Sequence, residues 1–168
     1  VQTMAAIAEQ AEKDRVAEDR IDPMLPGCID QRLFLAHAAI ESTRTLGVKG
    51  IITDSETGQT ARALASFRGP VPVLAICYKE KTQRWLNLSY GVIPIYQREQ
   101  IHNQQMFLAA LRMLRQKGYI ELDDKIAYLS GSFGEGGGTT FVEINKVKDV
   151  FDKSYQFHLP DSECKIEE

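Results

Sequence analysis

Val48-Lys49-Gly50-Ile51-Ile52-Thr53-Asp54-Ser55-Glu56-Thr57-Gly58-Gln59-Thr60-Ala61-Arg62-Ala63-Leu64 is the stretch on which the fold turns. Its first part, Val48–Thr53, reads as a buried strand. Its last part opens a helix, Thr57–Phe67, rich in Ala and Leu. The same exchange recurs downstream. Val71–Ile76 is a strand, Lys79–Leu88 a helix, Val92–Tyr96 a strand and His102–Lys117 a long helix closed by Gly118. Lys125–Leu129 and Thr139–Val147 complete the strands. Apolar strands alternating with helices predict an α/β domain with a largely parallel sheet. The last two strands are joined by a glycine loop without a helix, and a parallel pair needs a crossover of a dozen or more residues. They are therefore expected to be antiparallel. The fold class is three-layer α/β/α, with a mostly parallel five-stranded sheet and an antiparallel last edge strand.

Upstream, Asp30 caps a helix from Gln31 to about Leu46, and Gly47 ends it. Residues 18–29 read as a linker, because Asp22-Pro23-Met24-Leu25-Pro26-Gly27 breaks any helix. Residues 1–17 place Val1, Met4, Ala5, Ile7, Ala8, Ala11 and Val16 on one helical face, with Glu9, Glu12, Lys13 and Asp14 opposite. That helix starts at once and without a cap, as if cut from something longer. Its apolar face is expected to be exposed, repacked on the domain, or buried against another copy. The domain is expected to span 30–150, with 151–168 a polar, loosely held tail.

Length and composition narrow the classes. The chain has 168 residues, of which 43% are hydrophobic, enough for a core and too many for a disordered chain. A formal net charge of −3 argues against nucleic acid or a membrane surface as partner, since both favour a basic field. No apolar run reaches membrane-helix length. The three cysteines, Cys28, Cys77 and Cys164, are too sparse for a disulfide framework and suggest a cytoplasmic location. Cys77 ends an apolar run and reads as a small buried hydrophobe. His37 and His102 read as structural. Lys79-Glu80-Lys81 reads as a solvated helix start, and Trp85 as core or interface. No cysteine, histidine or carboxylate set has metal-ligand spacing.

Two loops carry the residue types for binding. The first, Thr53 to Ala61, is rich in hydroxyls and opens a helix, whose first N–H groups and dipole suit an anion such as phosphate. The plainer reading is that Ser55 or Thr57 caps the helix and nothing binds. Asp54 and Glu56 oppose a phosphate there unless they point away. The second loop is Ser130-Gly131-Ser132-Phe133-Gly134-Glu135-Gly136-Gly137-Gly138-Thr139-Thr140. It lacks the Gly-Lys-Ser/Thr of a P-loop, and a strand rather than a helix follows it. It is either a flexible hairpin loop or a nest of N–H groups facing an anion. Both loops leave the C-terminal ends of their strands, where open α/β sheets bind ligands. Ser55 and Ser132 have no nucleophile context, and no base is identifiable.

The order of these features resembles the C-terminal domain of pyruvate kinase. Val1-Gln2-Thr3-Met4-Ala5-Ala6-Ile7 is similar to the last helix of that family's catalytic barrel. Ser55-Glu56-Thr57-Gly58-Gln59-Thr60-Ala61 resembles its Thr-Glu-Ser-Gly-Arg-Thr/Ser-Ala loop. Arg68-Gly69-Pro70-Val71-Pro72-Val73-Leu74-Ala75 and Thr82-Gln83-Arg84-Trp85-Leu86-Asn87-Leu88 with Gly91-Val92-Ile93-Pro94 resemble two further segments. Ser130-Gly131-Ser132 and Gly138-Thr139-Thr140 frame the last loop, so the resemblance spans residues 1–147.

The resemblance implies a regulatory and subunit-assembly domain. The full enzyme would transfer a phosphoryl group from phosphoenolpyruvate to ADP, with magnesium and potassium. This stretch would carry no cofactor and no catalytic residue, and would be inactive alone. The implied partners are the remainder of the pyruvate kinase chain, a second copy in a dimer or tetramer, and a sugar phosphate or other anionic effector. The dimer is expected through the Gln31–Leu46 helix and the Thr139–Val147 edge strand. The implied effector residues are Ser55, Thr57, Gly58, Gln59 and Thr60, with Ser132, Gly136, Gly137, Gly138 and Thr139 closing over the ligand. Gln59 stands where many members carry Arg or Lys, Met106 where bisphosphate-responsive members carry Arg, and Glu135 adds negative charge. A monophosphate, another effector, or none is therefore expected rather than a bisphosphate. The readings left are this regulatory domain, the same domain as an assembly module with a degenerate site, and a stand-alone nucleotide-binding α/β protein.

Overall fold

The computed structural model describes residues 1–13, 30–97, 103–131 and 138–156. In chain order the elements are α1 (Gln2–Lys13), α2 (Gln31–Thr45), β1 (Gly50–Ser55), α3 (Gln59–Ser66), β2 (Val73–Cys77) and α4 (Glu80–Leu86). They continue with β3 (Val92–Tyr96), α5 (Asn103–Gln116), β4 (Lys125–Ser130), β5 (Phe141–Lys146) and α6 (Val147–Gln156). The strands form one sheet in the order β3-β2-β1-β4-β5. β1 pairs in parallel with β2 and β4, and β2 with β3, while β5 runs antiparallel to β4. This is the expected α/β architecture.

Successive strand residues point to opposite faces, so each buried strand feeds two cores. Ile51, Val73, Ala75, Cys77, Ala127 and Leu129 face the side covered by α2 and α3, where Ala36, Ala39, Ile40, Ala61 and Leu64 pack. Ile52, Leu74, Ile76 and Ile126 face α5, with Ala110, Leu111 and Leu114. Residues buried on both faces explain why these strands read as apolar runs. Asp30 caps α2 as expected: the Leu33 N–H donates to Asp30 Oδ1 at 2.7 Å. Gly47 follows the end of α2 with φ +68°, a conformation that favours glycine. Cys77 is buried, and burial pushes its thiol up to about 11.

Several boundaries differ from the sequence reading. β1 runs to Ser55 because its ladder with β2 continues to the Ser55–Cys77 pair. Pairing, not apolar pattern, sets that end. Trp85 is not in the core: α4 turns Thr82 and Leu86 inward, and Trp85 is 61% exposed under the Lys81 ammonium. The segment read as a tail from 151 is helical to Gln156. Val147, Val150 and Phe151 share one face of α6, and all pack against the α5 side of the sheet. Residues 157–168 lie outside the described residues, as do the linker 18–29, Cys28, His102, His158 and Cys164. α1 keeps Val1, Met4 and Ile7 exposed.

Candidate functional site

The strand order reverses between β1 and β4, which are neighbours although α3, β2, α4, β3 and α5 separate them in sequence. At such a point the chains leaving two adjacent strands diverge to opposite sides and open a crevice beyond the strand ends. The two loops singled out in the sequence meet here. Thr53 pairs with Leu129, so Asp54 and Ser130 follow side by side, and Ser130 Oγ donates to Asp54 Oδ2 at 3.0 Å. Beyond them the hydroxyls of Thr60 and Thr139 are hydrogen-bonded at 2.7 Å, tying α3 to the returning end of the glycine loop. The Thr140 N–H donates to the Ser130 carbonyl at 2.9 Å, which starts the β5 pairing.

The start of α3 differs from the capping expected of it. Its N-cap is Gly58, in the left-handed region at φ +82°, and no side chain caps the helix. Neither Ser55 nor Thr57 fills that role. Gly58 is required twice over, since a Cβ there would also lie 3.2 Å from Leu86 Cδ2. Among the described residues the first N–H groups of α3 thus have no side-chain cap, and the helix dipole adds partial positive charge. Ser55, three residues upstream, is 3% exposed, and its hydroxyl has no hydrogen-bond partner among the described residues. A buried hydroxyl without a partner is costly, so its retention calls for an explanation.

Side chains that the sequence did not connect to this loop brace it. Lys79 Nζ lies 2.6 Å from Glu56 Oε1, and the Lys79 ammonium holds the Glu56 carboxyl below its ordinary range. Thr82 Oγ1 donates to the Glu56 carbonyl at 2.8 Å. The Lys79-Glu80-Lys81 turn, read as solvated, therefore has a structural tie to the loop. Gln59 accepts a hydrogen bond from Arg32, which also pairs with Asp30 at 2.7 Å. Arg32, Gln59 and Arg62 line a groove of about 490 Å³ between α2 and α3.

Asp54 is the unusual charge. Burial raises its carboxyl above the ordinary range, and the Ser130 hydroxyl offsets this only in part. Tyr128 lies in the same environment. Burial first, then the Asp54 charge, push its phenol up to about 12. The Tyr128 ring stacks on Phe107 of α5 with centroids 3.9 Å apart.

Of the expected effector residues, the structure brings Ser55, Thr57, Gly58, Gln59, Thr60, Gly138 and Thr139 to one end of the sheet. Ser132, Gly136 and Gly137 lie outside the described residues, with Phe133 and Glu135. Among the described residues no group of His, Cys, Asp or Glu is arranged to hold a metal ion, and no helix is long and apolar enough to cross a membrane. The magnesium and potassium implied by the resemblance therefore have no carboxylate, His or Cys set to meet among the described residues.

Residues 34–145 match the family model described as "Pyruvate kinase, alpha/beta domain". Among curated proteins, pyruvate kinase from Borreliella burgdorferi is 32% identical over 153 residues, covering 89% of this chain and 32% of that protein. Pyruvate kinase from Bacillus licheniformis is 28% identical over 160 residues, covering 91% of this chain and 26% of that protein. Among solved structures, Cryptosporidium parvum pyruvate kinase in complex with ADP superposes with a TM-score of 0.65 and 26% identity, over 73% of this chain and 25% of that one. The chain thus spans about a third or less of the length of these relatives.

Proposed function

This chain belongs to the pyruvate kinase family through its C-terminal α/β domain, and we propose that it serves there as a regulatory and subunit-assembly domain binding a phosphorylated effector. The seat is the start of α3 with its loop, Ser55 to Thr60, and the facing Gly138–Thr139. One observation carries this reading. Among the described residues the Ser55 hydroxyl is buried without a partner, just before a helix start that has no side-chain cap. A phosphate or hydroxyl-bearing ligand would use donors and an acceptor that the protein itself leaves unfilled. In this reading the remainder of a pyruvate kinase chain carries phosphoryl transfer from phosphoenolpyruvate to ADP, with its magnesium and potassium. The setting is cytoplasmic.

The test is thermal denaturation against a panel of sugar monophosphates. A ligand that binds only the native state raises the melting temperature by mass action, about 2.7 kcal/mol at a hundredfold excess over Kd. Thr57→Ala should abolish the rise. Silence across the panel from both proteins supports a second reading, an assembly module with a degenerate effector site. That reading has its own observation: Thr60 is engaged by Thr139, and Gln59 by Arg32, within the protein.

A further inference from the structure

The groove between α2 and α3 holds hydrogen-bonding groups that the domain itself leaves unbalanced. Arg32 lines it from α2 and Arg62 from α3, together with Gln59, Ser66, Leu33 and Ala63. Among the described residues Asp30 is the one acid that lines it. Both Asp30 oxygens are used: Oδ1 accepts from the Leu33 N–H and Oδ2 from Arg32, each at 2.7 Å. Those donors hold the Asp30 carboxyl below its ordinary range, so it stays ionised and keeps Arg32 in place. The Gln59 side-chain oxygen also accepts from Arg32. The Ser66 hydroxyl donates to the Ala63 carbonyl at 2.7 Å. What remains is donors. Arg32 carries more N–H groups than its two bonds use, and the Gln59 amide N–H groups are unused among the described residues. The Arg62 guanidinium is exposed and meets no partner among the described residues.

Two guanidiniums against one carboxylate, with donors in surplus, call for a ligand that accepts hydrogen bonds and carries negative charge. An ionised carboxylate only accepts, and its paired oxygens match the planar fork of a guanidinium. Leu33 and Ala63 add apolar surface for a short aliphatic chain. The groove's volume of about 490 Å³ falls in the range of small-molecule clefts, roughly 300–1,000 Å³. We propose that the groove between α2 and α3 is a binding site for a small aliphatic carboxylate, held by Arg62 and by the spare donors of Arg32 and Gln59. Arg32 is already oriented by Asp30 and Gln59, so less side-chain freedom is lost on binding. Arg62 gains a charge-assisted bond that it lacks within the protein. The site does not draw on the seat at Ser55 and Thr57.

The experiment titrates the 168-residue chain with glutarate, with its neutral diamide and with inorganic phosphate, followed by the arginine side-chain N–H signals in nuclear magnetic resonance. Glutarate should bind and shift the Arg32 and Arg62 signals. The diamide should not bind, and phosphate should bind more weakly, because it leaves Leu33 and Ala63 uncovered. Arg62→Gln should weaken glutarate about tenfold or more, the loss expected for a hydrogen bond to a charged group. Arg84→Gln removes an equal charge from α4, where Arg84 pairs with Glu80 outside the groove, and should change the affinity by less than about twofold. Thr57→Ala, in the seat, should leave glutarate binding unchanged. No binding of glutarate, binding indifferent to Arg62→Gln, or equal weakening by Arg84→Gln overturns the site. Loss of binding in Thr57→Ala also overturns it, because the ligand would then occupy the seat. Phosphate or the diamide binding as tightly as glutarate overturns the carboxylate class.

Discussion

Gly58 combines two constraints that no other residue type meets. Its φ of +82° is strained for any residue with a Cβ, and Leu86 Cδ2 stands 3.2 Å from where that Cβ would be. Gly58→Ala should therefore destabilise the domain by about 1–2 kcal/mol, read as a lowered urea midpoint with an unchanged slope. An unmoved midpoint would mean that the loop relaxes freely. Asp54 yields a pH prediction of opposite sense to the usual acidic residue. Its folded carboxyl titrates above the ordinary value of 3.8, so the native state holds the proton longer than the unfolded chain. Stability from this group falls as pH rises through that window. The melting temperature of Asp54→Asn should thus gain on wild type as pH rises above the ordinary carboxyl value of 3.8, and a constant difference would contradict the raised carboxyl. The loop before α3 was legible in the sequence because hydroxyls and glycine gather at helix starts, but the cap they suggested, at Ser55 or Thr57, is replaced by Gly58. Asp54 was legible only as an objection to phosphate. Its hydrogen bond comes from Ser130, and its charge acts on Tyr128, both on β4 and far away in the chain.

At the scale of elements, α6 departs most from its sequence. The sequence reads as tail from residue 151, whereas the helix runs from Val147 to Gln156 and carries Lys148, Asp149, Asp152 and Lys153. Among the described side chains Val147, Val150 and Phe151 are apolar toward the sheet, and a stripe that narrow gains meaning once there is a surface to receive it. The β5 ladder delivers Val147 directly onto that surface. A chain ending at Lys146 should be less stable than one ending at Gln156 by about 2–4 kcal/mol, measured by denaturant unfolding. Equal stability would show α6 to be dispensable. The strands and the longer helices were legible because burial on both faces, or on one broad face, leaves a strong pattern. Their ends were not, since Ser55 belongs to β1 only by pairing with Cys77.

For the whole molecule, the sheet order leaves β3 and β5 at the edges. An unpaired edge tends to be covered or to recruit another strand. The assembly role proposed above therefore predicts a dimer or larger particle by light scattering, made through α2 and β5. A clean monomer at high concentration would count against it. By itself the sequence determined the α/β class, the antiparallel last strand, the cap at Asp30 and the two loops. Each of these follows from local propensity, periodicity or the length of a connection, which are properties of neighbouring residues. The tertiary structure alone decided that Thr60 meets Thr139, that Ser55 has no partner among the described residues, that Lys79 braces Glu56 and that Asp54 is a half-buried charge. Those facts arise where the strand order reverses and brings β4 beside β1, because desolvation and hydrogen bonding depend on distance in space and not on distance along the chain.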